Sequence, residues 1–138
     1  MDTSFDMISS YSRTQAIEDG TLVDVSETAK KTGLRFPVAV TSAVFERYLN
    51  FTSKAKDFPH QDFEGRLKDL LWMLRNAAKR GGSEIYFQVI FQMDGDWEPN
   101  EKRLREAGKY ARLVTLKAVC GPGDTPEPVI TILTPDED

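Results

Sequence analysis

The chain holds one histidine, His60, and one cysteine, Cys120, which narrows what nucleophilic chemistry it can offer. A Ser/His/Asp or Cys/His hydrolase needs a general base beside its nucleophile. His60 stands in the loop Phe58-Pro59-His60-Gln61, where a single histidine reads as a polar surface residue. Cys120 ends an expected strand and reads as a small buried apolar residue. The run Asp94-Gly95-Asp96-Trp97-Glu98 places three carboxylates at alternate positions. Calcium loops use such spacing, but the later bidentate glutamate is missing, and a solvated loop explains the same residues. Gly81-Gly82-Ser83 precedes a strand, whereas phosphate-binding glycine loops open a helix. No cofactor and no metal is implied.

One cysteine excludes an internal disulfide and a cysteine-rich zinc site. No apolar run approaches the roughly 18 residues needed to cross a bilayer, so no membrane partner is expected. The opening MDTSFDMISS begins with acids and lacks the order of a signal peptide. A cytoplasmic location follows as the expectation. The net charge is −4, yet charge is segregated along the chain. Residues 1 to 28 carry six acids and one base, and residues 30 to 80 carry eleven bases and five acids. Residues 81 to 138 carry eleven acids and six bases. Such a chain either presents a basic half that steers an acidic partner or mixes these charges on solvated helix faces.

These residues must be positioned by elements that local signals mark. The length of 138 residues suits a single domain able to bury a core. Residues 1–10 read as a loose lead-in, 12–80 as mainly helical, 83–134 as a sheet part and 135–138 as an acidic tail. Ser12 is placed to cap a first helix and Gly20 to end it. Thr21 to Val25 reads as a short extended segment, Ser26 as the cap of a second helix and Gly33 as its stop. Arg35 to Val40 reads as extended because Pro37 biases Phe36 away from helix. Thr41 or Ser42 opens a third helix. Glu64 to Arg80 reads as the strongest helix, with Phe63, Leu67, Leu70, Leu71, Leu74, Ala77 and Ala78 recurring at helical spacing as one apolar stripe. Trp72 stands off that stripe, either packing a second element or offering a contact.

After residue 83 the period changes from 3.6 to 2. Ile85, Phe87, Val89 and Phe91 alternate with Tyr86, Gln88, Ile90 and Gln92, as in a half-buried strand. Asp94 to Gly108 reads as a charged connection. Leu113 to Cys120 and Pro128 to Thr134 read as an antiparallel hairpin around the turn residues GPGDTPE. The expected class is α+β, with N-terminal helices covering one face of a three-stranded, mainly antiparallel sheet.

The opening SRTQAIEDGTLVDVSETAKKTGLRFPVAVT, the run Leu70-Leu71-Trp72-Met73 and the ending AVCGPGDTPEPVITILTPDED resemble a family of small uncharacterised bacterial proteins. Its members are common on plasmids, phages and other mobile elements. The resemblance is carried in the first part by Arg13, Gln15, Ala16, Asp19, Gly20, Leu22, Val23, Asp24, Val25, Phe36, Pro37, Ala39 and Thr41. Later it rests on Gly65, Leu67, Leu70, Trp72, Met73, Gly121, Pro122, Gly123, Asp124, Pro128, Ile130, Thr131 and Ile132. Phe45 departs from it, where tryptophan is usual. No biochemistry comes with the resemblance.

Most of the shared residues are structural types. Arg13, Gln15, Asp24 and Thr41 are polar and lie at element boundaries, so they are candidate binding residues as well as candidate caps. Trp72 and the turn residue Asp124 complete the candidate set. The functional expectation is a non-enzymatic accessory protein of a mobile element that binds a host or element-encoded protein. Two alternatives stand beside it. A small enzyme modifying a nucleotide or protein would bring Arg13, Asp24 and a sheet carboxylate into one concave site. A weak nucleic-acid binder would use the bases around Trp72, namely Arg66, Lys68, Arg75, Lys79 and Arg80, against the general acidity of a pI near 5.1.

Overall fold

A computed structural model describes residues 12–137, so the lead-in and Asp138 lie outside the described residues. Local signals fix the first helix. In α1 (Arg13–Glu18) the Ser12 hydroxyl accepts from the Gln15 N–H while the Gln15 side chain accepts from the Ser12 N–H, each at 3.0 Å. This reciprocal pair satisfies two donors at the helix start. β1 (Leu22–Asp24) follows, then α2 (Ser26–Lys31). Ser26 is not the cap expected of it. Val25 holds that place, and the Ser26 N–H and hydroxyl donate instead to Asp24 Oδ1 at 3.0 and 2.5 Å.

β2 (Val38–Thr41) leads through the Thr41 cap into α3 (Ser42–Val44), which widens into a π turn over Phe45–Leu49. The long helix is α4 (Phe63–Ala78), opened by Asp62, whose carboxylate accepts from the Gly65 N–H at 2.7 Å. The remaining strands are β3 (Glu84–Gln92), β4 (Glu101–Arg103), β5 (Ala111–Pro122) and β6 (Pro128–Leu133).

The sheet corrects the expected architecture. It has six strands in the order β1-β2-β6-β5-β3, with β4 also paired to β5. β2 and β6 run parallel, with Val38 opposite Ile130 and Val40 opposite Ile132, and every other pairing is antiparallel. The three-stranded reading failed for two physical reasons. All four residues of β2 are buried, so the strand shows no alternation. Its partner lies almost a chain length away, and a parallel pair has no hairpin turn to announce it. β4 was likewise hidden within the charged connection.

One face of the sheet, carrying Val38, Val40, Phe87, Val89, Phe91, Val114, Leu116, Ile130 and Ile132, packs beneath α2, α3 and α4 in one apolar cluster. Leu70, Leu71 and Leu74 are fully buried there, each contributing about 1.5–3 kcal/mol. Tyr48 stacks on Phe91 with ring centroids 5.4 Å apart. The opposite face carries Thr41, Thr131, Leu133, Lys117 and Tyr86. α1 is pinned over part of it, so the helices do not all lie on one side.

Gly33 ends α2 at φ +92°, and a Cβ there would meet Arg75 Nε of α4 at 2.9 Å. Gly20 has φ +86° and open space around it. Gly33→Ala and Gly20→Ala should each cost about 1–2 kcal/mol from the left-handed backbone. Gly33→Ala should lower the urea midpoint further, because Arg75 must also move. Equal shifts for the two variants would contradict that contact.

Candidate functional site

The structure gathers three of the sequence candidates, Arg13, Thr41 and Asp124, along a groove of about 490 Å³ between α1, the β5–β6 turn and the C-terminal segment. Asp124 anchors the start of α1. Its Oδ1 accepts from the Arg13 N–H at 2.7 Å, and its Oδ2 accepts from the Thr14 N–H at 3.0 Å and the Thr14 hydroxyl at 2.6 Å. These bonds, the Thr14 hydroxyl first, hold its carboxyl below the ordinary range. The Arg13 guanidinium reaches across the sheet, donating to Thr131 Oγ1 at 2.7 Å and to the Ile130 carbonyl at 2.8 Å. Burial pulls it below its ordinary value, and Asp24 and Asp124 act the other way.

Thr41 serves two partners. Its hydroxyl donates to Glu137 Oε1 at 2.8 Å and accepts from the Val44 N–H at 3.3 Å. Glu137 also takes the Thr134 N–H at 2.8 Å, and Lys117 donates to its backbone carbonyl. Glu137 of the expected acidic tail is therefore locked to the sheet. Lys117, Thr131 and Glu137 were not legible as site residues, since only the long-range register brings them here.

The other candidates stand apart. Gln15 closes the helix cap and Asp24 holds Ser26, and neither lines the groove. Trp72 lies on the far side of α4, 52% exposed, with the Arg75 guanidinium 5.5 Å from its ring centroid. About half of its surface is therefore exposed, and Arg75 of the same helix covers part of its ring.

A second polar cluster is buried. The Glu101 side chain has no solvent exposure and receives Arg47 Nε at 2.7 Å, Arg112 Nη1 at 2.9 Å and the Tyr48 hydroxyl. Burial alone would raise its carboxyl. Hydrogen bonds from Arg47, Tyr48 and the Glu98 N–H outweigh that and hold it at about 2. The Asp94–Glu98 run is explained by the same cluster. Gly95 and Asp96 supply backbone carbonyls to Arg112 at 2.7 and 2.8 Å, while Asp94 accepts from Ser53 at 2.6 Å. Among the described residues no group of three or more His, Cys, Asp and Glu side chains could hold a metal ion.

His60 and Cys120 do not meet. His60 packs against Phe58, which packs against Tyr110 beside the first residue of β5, whereas Cys120 pairs with Ile130 near that strand's other end. About 3.3 Å per residue separates the two ends by roughly 30 Å. Arg66 also departs from its expected place in a basic stripe. It is fully buried between Phe51 and Phe91, at 5.1 and 5.0 Å from their centroids, and donates to the carbonyls of Tyr48 and Gln92. Burial pulls its guanidinium down to about 10.

One apolar recess remains open. It measures about 320 Å³ and is lined chiefly by Leu34, Phe36, Leu74, Ile85, Cys120 and Ile130. Phe36 is 44% exposed at its mouth. Arg35 lines it and Arg75 abuts Gly33 at its rim.

The buried cluster gives a pH test. Glu101 titrates below its ordinary 4.5 in the fold, so its stabilisation is present above that value and fades as pH falls toward 2. Glu101→Gln should lose about 3–5 kcal/mol at pH 7, because Arg112 is left buried and uncompensated. Its urea stability should then fall less steeply than wild type on acidification. An unchanged neutral stability would contradict the cluster.

No helix among the described residues is long and apolar enough to cross a membrane. No curated protein and no solved structure matches the chain. A family described as a family of unknown function (DUF6573) matches over residues 1–138, and the chain belongs to that family.

Proposed function

We propose that the protein is a non-enzymatic interaction module, an accessory factor of a mobile element that grips a host or element-encoded protein. The supporting observation is the apolar recess beside Phe36, set among bases. Arg35 lines it, Arg75 reaches its rim, Lys30 and Lys31 stand on α2 just before Gly33, and Lys79 follows Ala78; none of these forms an ion pair among the described residues, whose ion pairs use only Arg47, Lys109 and Arg112 as bases. Trp72 joins this surface through its stack with Arg75. The partner chemistry that fits is an acidic segment with one aliphatic or aromatic anchor, since apolar recesses and exposed aromatics concentrate binding energy while like-signed rims select charge.

A nucleic-acid partner fits less well. The recess is walled by Leu34, Leu74, Ile85 and Ile130, which offer a base edge no hydrogen bonds, and Arg66 is withdrawn into the core. The small-enzyme reading draws on the groove of about 490 Å³ beside Arg13, Thr41 and Asp124. Those side chains already spend their hydrogen bonds on the chain itself.

Acidic peptides selected on the protein from a display library should carry an apolar anchor and bind more weakly as salt rises. Phe36→Ala and Trp72→Ala should each weaken them by about tenfold, near 1.4 kcal/mol, in a fluorescence titration. Peptides that bind both variants as tightly as wild type, or that lose nothing in salt, would remove this reading.

A further inference from the structure

Among the described residues β3 is the last strand of the sheet on its side, and its outer edge has donors and acceptors without a strand partner. The ladder to β5 shows which ones. At its ends the Cys120 N–H donates to the Ser83 carbonyl and the Met93 N–H to the Tyr110 carbonyl. Odd-numbered residues of β3 therefore face β5, because ladder bonds alternate along an antiparallel strand. The N–H and C=O groups of Glu84, Tyr86, Gln88, Ile90 and Gln92 face outward. Gln92 is closed off: its N–H donates to Gln61 Oε1 at 3.0 Å, and its carbonyl accepts from Arg66 at 3.1 Å. Tyr86, Gln88 and Ile90 have no such cover among the described residues.

Folded proteins blunt a long edge with proline, lysine, a bulge or a covering element. Glu84–Gln92 contains neither proline nor lysine, and its pairing with β5 runs in unbroken register. Tyr86 and Ile90 on this edge are 50% and 43% exposed. Beside it Met73 and Asn76 of α4, with Arg80 just beyond its end, form the other wall of a channel of about 370 Å³ opposite Tyr86 and Gln88. A helix alongside an open strand edge is the arrangement in which an extended peptide is received as an added strand.

We propose that β3 receives an extended segment of a partner protein in this channel. Backbone bonds to Tyr86, Gln88 and Ile90 hold it. Alternate side chains of the segment lie against Tyr86 and Ile90 on one face, and against Met73 with a carboxylate toward Arg80 on the other. A second copy of this chain suits the edge less well than a lone segment. Of the sheet strands α4 packs chiefly on β3 itself, so pairing two β3 strands about 4.8 Å apart across a two-fold axis would crowd two α4 helices, which pack no closer than about 8–10 Å, on one face. The surface is distinct from the recess beside Phe36, and it stands or falls independently of that reading.

The test uses random linear peptides selected on the full chain, with free and bound amide exchange followed by NMR. Bound peptide should protect the amides of Tyr86, Gln88 and Ile90. Gln88→Pro removes an outward donor and leaves the β5 ladder intact, so it should weaken binding about tenfold with little change in thermal midpoint. Backbone N-methylation of the peptide at alternate residues should abolish binding without altering the protein. Phe36→Ala should leave these peptides unaffected. Amides that stay in fast exchange with peptide bound, N-methyl peptides that bind normally, failure to select any binder, or a dimer in sedimentation that Gln88→Pro dissolves would each overturn the proposal.

Discussion

The parallel pairing of β2 with β6 is the constraint on which the rest of the molecule depends. Ile130 donates its N–H to the Pro37 carbonyl at 2.8 Å, and Val38 to Val40 then run beside Ile130 to Ile132. This one seam inserts the end of the chain into its beginning. It carries β1 and β2 into the sheet, makes β3 the opposite edge, and leaves that edge without a pairing strand among the described residues. It also sets Thr41 beside Glu137 and Thr131 beneath Arg13, so the polar locks of the second face exist only because the seam does. Non-local pairing of this kind closes a long loop before its contacts form, and the surrounding locks help hold it.

Charge is used in two opposed ways. Inside, Glu101 is surrounded by Arg47, Arg112 and Tyr48, and Arg66 lies between aromatic rings, so buried charge is matched or stacked. Broken pairs at such sites are costly, which ties the loop after β3 and the π turn after α3 to one arrangement. Outside, the bases near α2 and the end of α4 are left without ion pairs among the described residues. In the proposed reading, this uncompensated charge beside an apolar recess is what draws an oppositely charged segment.

Local signals in the sequence were legible. Ser12 as a cap, the glycines at 20 and 33, the leucine stripe of α4 and the alternation of β3 each depend on neighbours a few residues away. Asp124 was legible as a turn residue, though not as the anchor of α1, because its partners lie more than a hundred residues upstream. Glu101 carried no signal at all: a lone glutamate in a charged stretch looks solvated until Arg47 and Arg112 are placed beside it. Asp94 and Asp96 misled in the opposite sense, since the cluster uses the Asp96 backbone carbonyl and leaves its carboxylate out. The open edge of β3 followed only from the strand order.

The β2–β6 seam can be observed directly by NMR on the labelled protein. The account predicts nuclear Overhauser contacts between the Ala39 and Thr131 strands in parallel register, with the Ile130 amide exchanging only through global unfolding. A fast-exchanging Ile130 amide without those contacts would contradict it, and would take with it the sheet order and both surfaces built upon it.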